Sequence, residues 1–408
     1  MNVYDTLNER GFIEQLTHYG KIQHLLEAEK VVFYIGFDAT SDSLTAGHLL
    51  TLMAVSHMQK AGHMPIILIG AGTAMIGDPS GKTDMRKILT EEQINYNANA
   101  IKLQISKIIN MKNDNAILVN NADWLKKLNY IDVLRNIGPH FSVNRMLSAD
   151  CYKSRYERGL TFLEFNYMIL QAYDFLELNR THNCILQLGG NDQWSNIISG
   201  TDLIRRLEKK PSFGITFPLL TTSDGKKMGK TEAGAVWLDP VKTSPYDFYQ
   251  YWRNIEDTKV KECLLLLTFL PVEEILKLSY YTGEKINVAK KVLAFEITKI
   301  VHGEDAAIKA LTTADDVFNS KIINSNIPTT IIKKENLGQG ISIIALLIYT
   351  RIVKYKAEAR RLIEQGGIKI NNKKIEDINY IIMKDDYSKD EIIILQKGKK
   401  IFHNLKFS

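Results

Sequence analysis

Residues 31–48 read VVFYIGFDATSDSLTAGH: a β-branched and aromatic run to Gly36, a short polar turn, then Thr45-Ala46-Gly47-His48 opening into an apolar helical pattern. A strand that ends at a glycine turn and feeds a helix start presents free backbone N–H groups and a positive dipole end to an anion. Gly36 and Gly47 let backbone and ligand approach closely, and His48, in the first helical turn, can donate to phosphate. The same alternation recurs along the first half of the chain. Residues 31–37, 65–69, 116–119 and 183–188 read as strands, and residues 44–61, 91–111, 160–178 and 192–206 carry helical spacing of apolar residues. The pattern predicts an α/β fold built on an open, doubly wound, Rossmann-like parallel sheet, whose ligands bind beyond the carboxyl ends of its strands.

Further along, strand signals vanish from 244 to 318. The expected division is therefore a sheet domain over 1–240, an α-helical domain over 241–320, a linker over 321–340 and a small α+β domain over 341–408. The tail runs from YKAEARRLIEQGG through IKINNKKI to IIILQKGKKIFH, which reads as helices followed by a hairpin-rich sheet. Residues 341–408 hold 14 Lys and Arg against 8 Asp and Glu, which is the whole of the chain's formal charge of +6. A basic terminal segment on a neutral body suggests a nucleic-acid-binding appendage, because phosphate contacts dominate such binding.

Composition narrows the class. With 45% apolar and 24% charged residues and 9 Pro against 25 Gly in 408 residues, the chain is globular and long enough for two or three domains. Cys151, Cys184 and Cys263 lie far apart, which argues against a disulfide framework or a Cys-based zinc site and for a reducing cytoplasm. The N-terminal MNVYDTLNERGF lacks a basic start and an apolar stretch. Apolar runs such as 341–349 fall short of the roughly 20 residues that span a bilayer. Secretion and membrane insertion are not expected.

Two glycine motifs are decoys. Gly70-Ala71-Gly72 follows a strand, but Met75 stands where a dinucleotide fingerprint needs its third glycine, and GDPSGKT, from Gly77 to Thr83, is one residue short of a P-loop. Two other clusters carry chemistry. Asp224-Gly225-Lys226-Lys227-Met228-Gly229-Lys230-Thr231 is a glycine-flanked lysine loop able to close over a polyphosphate. On the helix over 160–178, Tyr167, Gln171 and Asp174 fall on one face among apolar neighbours, a polar stripe that suits a pocket wall.

Taken together, these segments resemble the bacterial tyrosyl-tRNA synthetases of class I. The resemblance runs along nearly the whole chain, through YIGFDAT with its downstream GH, GDPSGKT, FSVNRM (141–146), the Tyr167/Gln171/Asp174 helix, GGNDQWSN (189–196), KKMGKT and AVWLD (235–239). The tail, through EARRLIEQGGIKIN, resembles an RNA-binding module that the family shares with a ribosomal protein. The resemblance implies a tyrosine–tRNA ligase, forming a carbon–oxygen bond in two steps: tyrosine and ATP give tyrosyl-adenylate and diphosphate, and tyrosine then passes to the 3′-terminal adenosine of tRNA(Tyr).

Carried over residue by residue, it implies that Tyr34 and Asp174 read the phenol, that Asp78, Tyr167 and Gln171 hold the ammonium, and that Gln193 lies near the carboxylate. Gly36, Asp38, Gly47, Thr51 and Asp192 would surround ATP, and Thr40, Thr45, His48, Lys227, Lys230 and Thr231 its phosphates. Mg²⁺ would arrive with ATP rather than in a protein-bound metal site. A dimer-interface insertion around 125–160 would make a homodimer, the helical domain would approach the anticodon end of the tRNA, and neither DNA nor membrane would be a partner.

The sequence departs from the family pattern at two places in the first motif. Thr45 stands at the usual first histidine and Ala39 at the usual proline, so Thr45→Ala is expected to lose less activity than His48→Ala. Gly229 replaces the usual serine of the lysine loop and is expected to loosen it. The rival readings are the tryptophan enzyme, which would not need the Tyr34 and Asp174 pair; a small nucleotidyltransferase, which would be shorter and lack the tail; and an RNA-binding paralog without activity, which Thr45 alone supports.

Overall fold

The computed structural model describes residues 2–80, 88–231, 234–318, 328–332, 340–371, 373–383, 386, 392–398 and 401–407, without the side chains of Ser154, Lys230, Thr231, Val317, Phe318 and Phe407. Gly81, Lys82 and Thr83 of the GDPSGKT turn, residue 232 of the lysine loop and most of the linker stretch lie outside them.

A six-stranded sheet of β1 (Gln15–Leu16), β2 (Val32–Asp38), β3 (Met64–Gly70), β4 (Ile117–Asn120), β5 (Leu186–Gly190) and β6 (Phe213–Phe217) has the order β1-β6-β5-β2-β3-β4. β2 to β6 are parallel, and β1 closes one edge antiparallel to β6. The chain moves outward from β2 to β4 and then returns to lay β5 against the other side of β2. The order therefore reverses between β2 and β5, where an open α/β sheet leaves a crevice beyond its strand ends. The register sets Tyr34 between Ile66 and Gln187, and Asp38 opposite Gly70. Phe33, Ile35, Ile66, Ile67, Leu186, Leu188 and Ile215 are buried, as a sheet covered on both faces requires.

The four expected strands and the expected doubly wound class appear, with differences of detail. β5 starts at Leu186 rather than 183, because Asn183 takes the left-handed φ of 51° that ends the preceding helix. The helix expected over 160–178 is two, Phe162–Phe165 and Tyr167–His182, parted at Asn166. β1 and β6 were not expected; β6 is wholly buried, so FGITF lacks the alternation that marks a half-exposed strand. Cys151, Cys184 and Cys263 are free and buried, and no helix among the described residues is long and apolar enough to cross a membrane.

By its internal packing the chain forms two units, Met1–Thr243 with Ile255–Leu293, and Ser244–Asn254 with Ala294–Ser408. The helical stretch 255–293 thus belongs with the sheet. Buried Arg10 ties it there, donating to the carbonyls of Leu265 and Thr268 at 3.0 Å each and to that of Leu270. In the second unit, Lys373–Ile375, Ile368–Ile370, Ile392–Lys397, Ile401–Phe407 and Thr329–Ile332 form a sheet in that order. It packs with the helices Ile343–Tyr349 and Lys356–Glu364 on a core that includes Leu346, Ile363, Ile368, Ile393 and Leu405. The hairpins expected in the tail are present. Thr329–Ile332, inside the expected linker, is instead an edge strand parallel to the 401–407 strand; its TTII sequence has the β-branched content that a pleated surface favours.

Candidate active site

A cavity of about 380 Å³ opens at the β2/β5 switch point. From β2 and the turn after it come Tyr34, Gly36, Asp38 and Thr40. The start of the Ala46–Lys60 helix gives Thr45, Gly47, His48 and Thr51, and the turn after β3 gives Asp78. Tyr167, Gln171 and Asp174 come from the 167–182 helix, Asp192 and Gln193 from the turn after β5, and Lys227 from the lysine loop. Every residue singled out in the sequence whose side chain is described lies on this one wall; those of Lys230 and Thr231 lie outside the described residues.

The deep end is buried and polar. Tyr34 is 2% exposed and its hydroxyl has no protein partner; burial, then the nearby Asp174 charge, push its phenol well above the ordinary range. Asp174 is equally buried. Its Oδ1 accepts from Trp124 Nε1 at 2.7 Å and its Oδ2 from Asn121 Nδ2 at 3.0 Å. Burial pushes its carboxyl up to about 8, against the pull of those two donors. Because the folded value stands above the unfolded one, the protonated group's stabilisation is full below pH about 4 and is lost as pH rises through about 8. Between pH 5 and 7 the unfolding free energy of the empty protein should therefore fall by about 1.4 kcal/mol per pH unit more than that of Asp174→Asn. Urea titrations of both proteins across that range check it; parallel curves would refute it.

The middle of the cavity gathers acceptors. Tyr167 donates its hydroxyl proton to Asp38 Oδ2 at 2.9 Å, which leaves the phenolic oxygen as an acceptor. Gln171 Oε1 is buried with no hydrogen-bond partner. Asp78 accepts the Ser80 N–H on Oδ1 at 2.9 Å and Gln193 Nε2 on Oδ2 at 2.8 Å. Three oxygens, one of them a carboxylate's, make a cradle for a cation.

The outer end is made of donors. His48 Nδ1 accepts the backbone N–H of Thr45 at 3.1 Å, with the Thr45 hydroxyl 3.0 Å away. A backbone N–H can only donate, so Nδ1 is unprotonated and the neutral ring carries its proton on Nε2. Lys227 Nζ lies 3.0 Å from Asp192 Oδ2. The expected loosening at Gly229 is not what its surroundings suggest. Its φ is +79°, and a Cβ there would stand 3.2 Å from Ala46 Cβ and 3.4 Å from Gly47 N. The Val236 N–H bonds its carbonyl at 2.7 Å, and the Ala46 N–H bonds the Val236 carbonyl at 2.9 Å. The glycine thus lets the lysine loop lie against the helix start.

Several residues of the site were not anticipated. Asn121 and Trp124 hold Asp174, and Thr73 Oγ1 donates to Asp38 Oδ1 at 2.7 Å. A Cβ on Gly70 would fall 2.2 Å from Asp38 Oδ1, so this position of the decoy motif makes room for a carboxylate. Buried Gln187 also lines the cavity, with Oε1 unpartnered.

Comparison with known proteins converges on one family. Residues 26–319 match the family model of tRNA synthetases class I (W and Y), and residues 320–405 match that of the tyrosine–tRNA ligase SYY-like C-terminal domain. The tyrosine–tRNA ligases of Clostridium botulinum strain Loch Maree and of Acetivibrio thermocellus are each 58% identical over 405 residues, covering 99% of both chains. Among solved structures, a C-terminally truncated mitochondrial tyrosyl-tRNA synthetase of Aspergillus nidulans superposes with a TM-score of 0.70 at 28% identity, covering 78% of this chain and 94% of that one. The fold also matches the Archaeoglobus fulgidus tyrosyl-tRNA synthetase, solved with L-tyrosine, at a TM-score of 0.59 and 17% identity, covering 76% and 100%.

Proposed function

The chain belongs to the tyrosine–tRNA ligases, class I synthetases of the tryptophan and tyrosine group, and on that premise we propose how its cavity divides the work of the reaction. The chain activates L-tyrosine with ATP to tyrosyl-adenylate and diphosphate and then charges tRNA(Tyr). In the first step a tyrosine carboxylate oxygen bonds to the α-phosphorus while the bond to the bridging oxygen breaks and diphosphate leaves. In the second, the ester forms on the 3′-terminal adenosine and AMP leaves.

The substrate phenol lies between Tyr34 and Asp174, accepting from the Tyr34 hydroxyl and donating a hydrogen bond to Asp174, a third donor that together with Asn121 and Trp124 draws the carboxyl into its ionised form. The observation that carries this reading is a buried, unpartnered Tyr34 hydroxyl beside a buried carboxyl that is itself held from behind. Asp78, Tyr167 and Gln171 receive the ammonium, a role supported by their convergence as acceptors, and Gln193 faces the reacting carboxylate. Gly36, Asp38, Gly47, Thr51 and Asp192 surround the nucleotide. Thr40, Thr45, His48, Lys227, Lys230 and Thr231 meet its phosphates, where positive charge and preorganised N–H groups offset the charge that develops on the leaving group. Lys227, which pairs with Asp192 at 3.0 Å, can exchange that partner for phosphate.

Mg²⁺ comes with ATP. The phosphate end offers imidazole, hydroxyl and ammonium groups, and its carboxylate, Asp192, is already paired with Lys227 Nζ at 3.0 Å. That donor set does not fit a protein-held Mg²⁺, which takes free oxygen ligands, so no step is assigned to one.

The active form is a homodimer. In the 125–160 segment, Tyr130, Ile131, Leu134, Val143 and Tyr156 are exposed, which supports a second copy of the chain covering them. The helices of 241–320, of which 255–293 pack with the sheet, serve the anticodon side of the tRNA and the basic 341–408 domain another part of it; the charge of the tail and the family-model boundary at 319/320 support a separate role for the tail. Free cysteines and the need for ATP and tRNA support a cytoplasmic enzyme. Amino-acid-dependent exchange of pyrophosphate into ATP tests the reading without tRNA: exchange with tyrosine alone is expected, and exchange with tryptophan would overturn the phenol-reading end.

A further inference from the structure

We infer that Asn196, which does not itself line the cavity but stands directly behind Gln193, is a positioning residue that fixes which way the Gln193 amide points. Asn196 lies in the first turn of the Trp194–Leu207 helix and is 1% exposed. Its Nδ2 donates to Gln193 Oε1 at 3.1 Å and lies 3.4 Å from Ser80 Oγ. Gln193 Nε2 donates to Asp78 Oδ2 at 2.8 Å, and the Ser80 N–H donates to Asp78 Oδ1 at 2.9 Å. Four side chains and one backbone group therefore close a ring.

The polarity of that ring follows from its fixed members. A carboxylate only accepts, so the edge of Gln193 that faces Asp78 is its NH₂, and the edge that faces Asn196 is its oxygen. Asn196 must then present its own NH₂. The stem of Gln193 has little freedom of its own: a Cβ on Gly189 would lie 3.0 Å from Gln193 Cβ and 3.4 Å from its Cγ, so the stem packs on bare backbone. The motion left to the side chain is rotation of the terminal amide, a soft torsion with two wells. Asn196 selects one of them. In that well the second hydrogen of Nε2 is available to an anionic oxygen. In the other, Gln193 Oε1 would oppose the Asp78 carboxylate and turn an acceptor toward the substrate's own carboxylate.

This inference rests on the reading of Gln193 as the group beside the reacting carboxylate, and the test separates the two. Asn196→Asp is close to isosteric but can only accept when ionised, so it draws Gln193 Nε2 toward itself and turns the amide over. Single-turnover formation of tyrosyl-adenylate would be measured for Asn196→Asp, Asn196→Ala, Gln193→Ala and the double variant Asn196→Asp/Gln193→Ala. Asn196→Asp is expected to slow the step by roughly 10- to 100-fold in the parent and by less than about threefold in the Gln193→Ala background, since an orienting partner has nothing left to orient. Asn196→Ala should show the same dependence on background with a smaller loss, and it introduces no buried charge that could disturb folding. Losses of equal size in both backgrounds would mean that Asn196 acts by general stability, and would overturn the proposal. An unchanged rate for Gln193→Ala alone would instead overturn the assignment of Gln193, and the proposal with it.

Discussion

Asp174→Asn is expected to lower kcat/KM for tyrosine by roughly 10³, the largest loss foreseen for a substitution of nearly equal volume. Two donors lock the carboxylate. Trp124 Nε1 has only a proton to offer, and Asn121 cannot reverse its amide because its Oδ1 accepts the Gly72 backbone N–H at 2.7 Å. An amide at 174 must therefore turn its NH₂ against one of two N–H groups or into the space where the phenol proton arrives. Losing a charged acceptor costs the substrate about 1.5–3 kcal/mol, and leaving a buried donor unmet costs the protein about 1–3 kcal/mol more. Phenylalanine brings no hydroxyl and forgoes only the second of these. The preference for tyrosine over phenylalanine should therefore narrow along with the activity. Pyrophosphate exchange with both amino acids measures the ratio, and equal losses for the two would sink the assignment of Asp174 to the phenol.

At the other end of the cavity, His48→Ala should slow adenylate formation by roughly 10²–10³, the usual result of removing one preorganised donor from developing charge. Thr45→Ala should cost less than about tenfold. The donor that orients the ring through Nδ1 is the Thr45 backbone N–H, which the substitution keeps; only the hydroxyl 3.0 Å away is lost. Threonine at the family's histidine position is thus the residue from which the His48 ring hangs. Single-turnover kinetics decide between these roles, and equal or reversed losses would refute the ranking.

Much of this site could be read before any fold was known, for a physical reason. Anion-facing turns need glycine, a helix start and a donor within a few residues, so 34–48 and 224–231 carry their chemistry locally, whereas 189–196 was legible only through the family resemblance. The stripe Tyr167, Gln171 and Asp174 was legible because helical spacing brings it together. What stayed hidden depends on tertiary neighbours. Asn121 and Trp124 sit after β4 in a stretch, NADW, that looks like an ordinary strand-to-helix turn; only the pairing of β4 with β3 brings them to Gly72 and Asp174. Gly70 and Gly72, set aside in the sequence as a decoy, leave space for Asp38 and Asn121, which only the fold reveals. The lysine loop misled in the opposite direction. Glycine there suggested freedom, whereas its positive φ and its approach to Gly47 describe a seat.

The relay from the Gly72 N–H through Asn121 to Asp174 bears on how this enzyme could acquire a different substrate. The polarity of the deep pocket originates in a backbone amide, which no codon change at 72 other than one to proline removes. Any lineage drifting toward an amino acid without a hydroxyl would meet a valley in which residue 174 has changed while Asn121 and Trp124 still demand an acceptor. Escape requires replacing at least one of the donors together with Asp174, so single steps are disfavoured. The same holds at the bench: a library that varies only the residues lining the cavity would search around a fixed electrostatic frame, and pairing position 174 with 121 and 124 is the way to release it.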